Sequence, residues 1–388
     1  MRVLIAPDCF TGTLSAVQAA EAIADGWRRG ASHDHLTLVP LSDGGPGLLD
    51  VLTNALGGTR VLVTVADPLG RPITAAILMF DVGGRRTAYI ESAQACGLHL
   101  LSEVERNPMV TSSYGVGELI DEAVAQDATR VVVGLGGSGT NDGGAGMLAA
   151  LGAGDPDALA VGGARLGELG DDALRGLTLV RERLGAIELV VATDVDSPLL
   201  GLQGASAIFA PQKGATPEMA QELESALGHF TEVVGRVVPS GRDLLTGKEI
   251  RLDRQPGAGA AGGLGYGLLL LGGHRVSGVQ TVLEAVGFDA LLQVADLVVT
   301  GEGTFDWQSL RGKVVAGVAE AALARARPTV VIAGQTLVGR RDSMALGISG
   351  SYAVAENPEQ VAASLADPAG TLSLRAENVA RTWSPRHA

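Results

Sequence analysis

The chain has 388 residues, 46% of them apolar, 19% charged, and a formal net charge of -14. That length and apolar fraction suffice for two domains or for one large domain carrying an insertion. The negative charge offers no general attraction to phosphate backbones or anionic lipid, which argues against nucleic-acid and membrane-surface partners, so any bound anion must be held by local donors.

The first apolar run, Val3-Leu4-Ile5-Ala6, reads as a buried strand and meets Pro7-Asp8 rather than a long apolar segment with a cleavage site, so a cytoplasmic protein is expected. Ser15 followed three residues later by Gln18 is a capping-box pattern opening a helix over Ala16 to Arg28, with Gly30 as the expected stop. A run from Leu38 to Leu41 leads into Asp43. Between Thr59 and Glu91 the texture changes: Val61 to Val65 and Ile73 to Phe80 alternate about the turn Asp67-Pro68-Leu69-Gly70, which predicts antiparallel strands and marks an insertion. Strand-then-helix units recur at Val131 to Gly134, Leu189 to Ala192, Leu297 to Thr300 and Val330 to Ala333, so the fold class is α/β with buried parallel strands. The apolar stretch at Leu268 to Leu271 is bracketed by glycines and far short of the ~20 residues of a membrane span. From about Ser384 the chain reads as a frayed tail.

Two cysteines, Cys9 and Cys96, suggest neither a disulfide framework nor a Cys-rich metal site, and histidines without metal-ligand spacing disfavour zinc. The 55 glycines concentrate after expected strands. Gly134-Leu135-Gly136-Gly137-Ser138-Gly139-Thr140-Asn141-Asp142-Gly143-Gly144-Ala145-Gly146 precedes an Ala-rich helix from Met147 to Leu151 and lacks the order of a P-loop, so it reads equally as an anion cradle or as a tight-packing turn. The block from Pro256 to Gly265 reads as close packing. Carboxylates stand where strands end: Asp8, Asp43, Asp194 with Asp196, and Glu302. In open α/β sheets that end forms the ligand crevice, and such a set suits magnesium, which takes one or two carboxylates plus phosphate oxygens and water. Lys213 and Lys313, each beside a glycine, read as solvated charges or as partners for phosphate or carboxylate. Glycine-rich loops, strand-end carboxylates and isolated cations together describe phosphoryl transfer without naming the acceptor.

Several motifs in one order carry a resemblance: Ala6-Pro7-Asp8 with Leu14-Ser15-Ala16, Asp43-Gly44-Gly45, Asp67 to Arg71, Arg106-Asn107-Pro108 with Thr111 to Gly115, and Gly136-Gly137-Ser138 with Thr140 to Gly144. Ala192 to Val195, Pro211 to Ala215, Pro256 to Leu264, and Thr300 to Gly303 with Asp306 and Gln308 continue it. Over nearly its whole length the chain resembles the type I glycerate kinase family. The resemblance implies a Rossmann-like parallel-sheet domain with a second α/β domain inserted and the active site in the cleft between them. Residues 1–58 plus 285–388 are expected in the first and 59–284 in the second. It implies ATP- and Mg2+-dependent phosphorylation of glycerate, usually to 2-phosphoglycerate. A homo-oligomer is left open.

Within that family reading Asp8, Asp194, Lys213 and Glu302 are the expected catalytic residues. Gly136, Gly137, Ser138, Thr140, Asn141 and Asp142 are expected to bind the nucleotide, Asp43 and Asp194 the metal, and Asp43, Arg71 and Lys313 the acceptor. The chain departs from the family pattern at Thr11, Pro46 and Thr304, where Lys, Glu and often Arg are usual, so three loop charges are missing. A kinase for a related hydroxy acid and a non-catalytic small-molecule sensor on the same fold are the rival readings. A dinucleotide oxidoreductase is disfavoured, because Pro7-Asp8-Cys9-Phe10 supplies no Gly-x-Gly-x-x-Gly turn.

Overall fold

The structure, a computed structural model, describes residues 1–10, 12–239, 241–242, 247–310 and 312–384. The chain divides into two compact units, Met1–Asp43 with Asp50–Gly57 and Ser277–Ala388, and Gly44–Leu49 with Gly58–Val276.

The first unit is built on five parallel strands in the spatial order His35–Leu38, Arg2–Ile5, Leu297–Thr300, Thr329–Ala333, Ile348–Ala353. Numbered along the chain within this unit the order is 2-1-3-4-5, the flavodoxin-type doubly wound sheet, whose order reverses between the first and third strands. The hydrophobic interior of Ile5, Ile23, Trp27, Val299, Ile332 and Val379 explains why these strands read as continuous aliphatic runs. The expected capping box is present: Ser15 Oγ accepts from Gln18 N at 3.2 Å, and Gln18 Oε1 accepts from Ser15 N at 2.9 Å. The helix runs Ala16–Gly30. Gly30 is the last residue of that helix, and it has a further use: with Gly26, one turn earlier, it faces the helix Pro368–Trp383, and a Cβ at either would collide with backbone carbonyls of Ser373 or Glu377. Ser384 is buried, and its hydroxyl donates to Asp34 at 2.9 Å, so the chain is docked at that residue; the rest of the expected tail, residues 385–388, lies outside the described residues.

The second unit has six strands in sequential order: Thr59–Ala66, Pro72–Val82, Arg85–Glu91, Arg130–Gly134, Glu188–Ala192 and His274–Val276. The first three pair antiparallel, as the turn at Asp67 to Gly70 predicts, and the later ones pair parallel. Ile77, Ile90, Val131, Val133, Leu148 and Phe230 lie in its core. No helix among the described residues is long and apolar enough to cross a membrane.

Candidate active site

In the first unit, hydrogen bonds tie together the loops that follow the edge strand His35–Leu38 and its inner neighbours Arg2–Ile5 and Leu297–Thr300. Asp8 N donates to Gly301 O at 2.8 Å, Leu41 N to Pro7 O at 2.9 Å, and the Thr300 hydroxyl to Ala6 O at 2.7 Å. These loops carry Asp8, Asp43 and Glu302 at the point where the strand order reverses. Burial and neighbouring carboxyl charge disfavour the ionised forms of Asp8 and Glu302. Asp8 is pushed up to about 8, first by burial and then by the charge of Asp43, with the Cys9 amide, donating to Asp8 Oδ1 at 2.7 Å, pulling the other way and Glu302 adding to the rise. Glu302 is pushed up to about 7 by burial; a hydrogen bond from Ser309 and the charge of Lys313 oppose the rise, and Asp306 and Asp43 add to it. Its Oε1 is a buried oxygen with no hydrogen-bond partner among the described residues. Lys313 is partly buried at the residue preceding the helix Val314–Ala324.

The sequence reading missed Ser309, which is fully buried and shares its amide and hydroxyl with Asp306 Oδ1 at 3.3 and 3.4 Å. Its signal was present: an Asp three residues before a Ser is a common turn-closing pattern.

In the inserted unit, Lys213 is not the solvated charge a lone lysine suggests. It is 1% exposed. Its Nζ donates to Ser138 Oγ at 2.9 Å and to Thr140 O at 2.7 Å. Burial lowers its pKa to about 8, and the nearby Cys96 and Asp142 oppose that shift. Asn141 Nδ2 donates to Ser206 Oγ at 3.0 Å, while Asn141 Oδ1 and Thr140 Oγ1 are buried without a hydrogen-bond partner among the described residues. Nothing in the sequence around Ser206 marks it. Cys96 is buried with its thiol pushed up to about 12 by burial, so it is unreactive.

The glycine-rich loop resolves into two parts. A Cβ on Gly136 would lie 2.6 Å from Gly45 Cα, and one on Gly137 would lie 2.7 Å from Pro46 Cγ, so both glycines admit the segment Gly44–Leu49 of the same unit. Glu91, at the end of its strand, holds that segment by accepting from Gly47 N at 3.1 Å and Leu49 N at 3.4 Å. Further along, Gly263 lies so near Gly143 that a Cβ would stand 2.7 Å from Gly143 Cα, which is the packing read for the block from Pro256 to Gly265. The amides of Gly136, Gly137, Ser138 and Thr140 nevertheless donate to no backbone carbonyl among the described residues.

Asp142, expected on the nucleotide, is instead saturated by protein. It is fully buried and accepts from Ser113 N and Oγ, both at 2.8 Å, from Gly144 N at 3.1 Å and from Gly146 N at 3.2 Å. Arg71 likewise has protein partners: Asp67 at 2.5 Å, Glu105 at 2.7 Å and Leu100 O at 3.2 Å, which use three of its five donors. Asp194 follows the strand Glu188–Ala192 and is partly buried; its neighbour Asp196 is exposed and pairs with Arg275 at 2.7 Å. Thr11 lies outside the described residues. Pro46 stands against Gly137, and Thr304 is an exposed strand residue paired with Gln335.

Comparison with known proteins identifies the family. Residues 3–384 match the glycerate kinase family. The chain is 42% identical to a glycerate kinase of Bacillus subtilis strain 168, over 89% of this chain and 87% of that one. It is 40% identical to the glycerate 2-kinase of Escherichia coli K12, over 86% and 85%. The fold matches a crystal structure described as glycerate kinase 2 from Salmonella typhimurium LT2, with a TM-score of 0.76, 36% identity and 98% of both chains covered. The chain therefore belongs to the glycerate kinase family and is a kinase.

Proposed function

We propose that the protein phosphorylates glycerate with ATP to give 2-phosphoglycerate, and that it works in the cytoplasm, where free thiols persist. The carrying observation is the carboxylate group at the strand-order reversal, with Asp8 pushed up to about 8. A base titrating near the working pH is matched to a proton that leaves as a new O–P bond forms. In this reading the acceptor's hydroxyl oxygen attacks the terminal phosphorus, its proton passes to an Asp8 carboxylate oxygen, and the bond to the departing ADP oxygen breaks. Glu302 orders the same loop cluster, and Lys313 pairs with the acceptor's carboxylate. Ser138 and the amides from Gly136 to Thr140 take the phosphates, with Lys213 supplying positive charge behind them.

Asp43 and Asp194 are the residues proposed to hold Mg2+. Among the described residues no three His, Cys, Asp or Glu side chains form a closed metal cluster. A set of single carboxylates fits an ion that draws its remaining ligands from phosphate and water. When bound, Mg2+ would neutralise phosphate charge.

The test is ADP release with Mg-ATP and a panel of hydroxy acids, followed by phosphorus NMR of the product. A 2-phosphoglycerate signal with D-glycerate as the best acceptor is expected. Another acid turned over faster would move the substrate, a change that the loss of charge at Pro46 would favour. Nucleotide binding without any turnover would make the protein a sensor.

A further inference from the structure

A buried lysine normally lies against a carboxylate, because an ammonium removed from water is costly unless an opposite charge meets it. Lys213 hydrogen-bonds to none: its two partners are the neutral Ser138 Oγ and Thr140 O, and Asp142 acts on it only through space. The nearest candidate, Asp142, has its carboxylate oxygens occupied by Ser113, Gly144 and Gly146. An ammonium has three protons and no acceptor, so the Lys213–Ser138 bond can run in one direction only, into the serine oxygen. Among the described residues this is the one hydrogen bond that Ser138 makes, which leaves its own O–H without a protein acceptor.

We propose that Lys213 is a positioning residue that acts through Ser138: by occupying one lone pair of the serine oxygen it disposes the Ser138 hydroxyl to donate to a phosphate oxygen of the nucleotide. The second bond serves the same end. Drawing the Thr140 carbonyl inward at 2.7 Å fixes the peptide plane of the loop just past the serine. Lys213 is itself held rigidly, its amide donating to Ala210 O at 3.0 Å and the next residue, Gly214, lying in the left-handed region at φ +98. The lysine thus reaches the ligand by charge and through the serine, without direct contact. This inference rests on the reading of the 136–140 loop as the phosphate site.

The experiment is steady-state kinetics on Ser138→Ala, Ser138→Thr, Lys213→Met and the double variant Ser138→Ala/Lys213→Met, with circular dichroism and thermal unfolding on each. Ser138→Ala and Lys213→Met should each raise KM for ATP about tenfold with kcat within about threefold, and the double variant should be little worse than either single one. Ser138→Thr should restore KM for ATP only while Lys213 is present. Multiplicative single effects, or a collapse of kcat confined to Lys213→Met, would overturn the proposal. If Lys213→Met does not fold, Ser138→Ala decides, and an unchanged KM for ATP refutes it. A coupled rise in KM for glycerate instead of ATP would keep the lysine-to-serine relay and overturn the phosphate reading of the loop.

Discussion

The two units prepare for charge in opposite ways. The first gathers Asp8, Asp43 and Glu302 at the reversal of a parallel sheet, where burial and then neighbouring carboxyl charge keep protons on Asp8 and Glu302. The inserted unit buries a lysine among neutral oxygens and lets burial weaken its hold on its proton. In one region buried carboxyl groups crowd together, and in the other a buried ammonium has no carboxylate as a hydrogen-bond partner. Each carries an electrostatic cost that a ligand or metal of the opposite sign would relieve, which is how sites for anionic substrates are commonly preorganised.

The sharpest way to break this comparison is Asp8→Asn. If Asp8 takes the acceptor's proton, turnover should fall about 10³-fold, measured as ADP release. The same change should raise stability by about 1 kcal/mol at pH 7.5 in thermal unfolding, because it removes a carboxylate from a crowded set. The sign follows from the raised pKa: the folded state holds the Asp8 proton more tightly than the unfolded chain, so the wild-type protein loses this contribution as pH climbs from about 4 to about 8. The variant should not show that part of the slope. A variant both active and less stable would undo the description of the first unit.

Asp142→Ala tests whether the inserted unit contains a charged site or a structural knot. It strands four donors from Ser113, Gly144 and Gly146, and about 3 kcal/mol of stability should be lost in denaturant unfolding. Normal stability with a large rise in KM for ATP would return Asp142 to the nucleotide.

A pH series sharpens the lysine side. Lys213 is charged below about 8, so KM for ATP should be lowest there and rise about tenfold as pH passes through 8 to 10, and Lys213→Met should flatten that rise. The smallest expected effect is that of Arg71→Ala. It should lower the Tm only slightly by loosening the Asp67 turn, with KM for glycerate changing less than threefold. A tenfold rise in KM at unchanged stability would place the guanidinium on the acceptor.

Much of this protein is written in local pattern. The aliphatic runs at Val3, Val131, Leu189, Leu297 and Val330, the capping box at Ser15 and the antiparallel turn at Asp67 are short-range signals, and each appears in the fold. Strand-end carboxylates are legible for the same reason: the residue just past a strand is set by the strand itself. The strand Ile348–Ala353 carries glycine and two serines, so its hydrophobic pattern was too weak to see. What neighbours across the chain decide was not legible. Whether a glycine faces a ligand or another backbone depends on which segment arrives opposite it, and at Gly136 and Gly137 that segment is Gly44–Leu49, about ninety residues earlier in the numbering. Burial turned Lys213 from an exposed charge into a buried donor, and two hydrogen bonds from distant Ser113, with two from nearby Gly144 and Gly146, occupy the carboxylate that made Asp142 a candidate ligand. Sequence alone determined the elements and the chemical groups at their ends; only the tertiary structure decided which of those groups keep capacity for a ligand, because desolvation and hydrogen-bond saturation are properties of the packed neighbourhood.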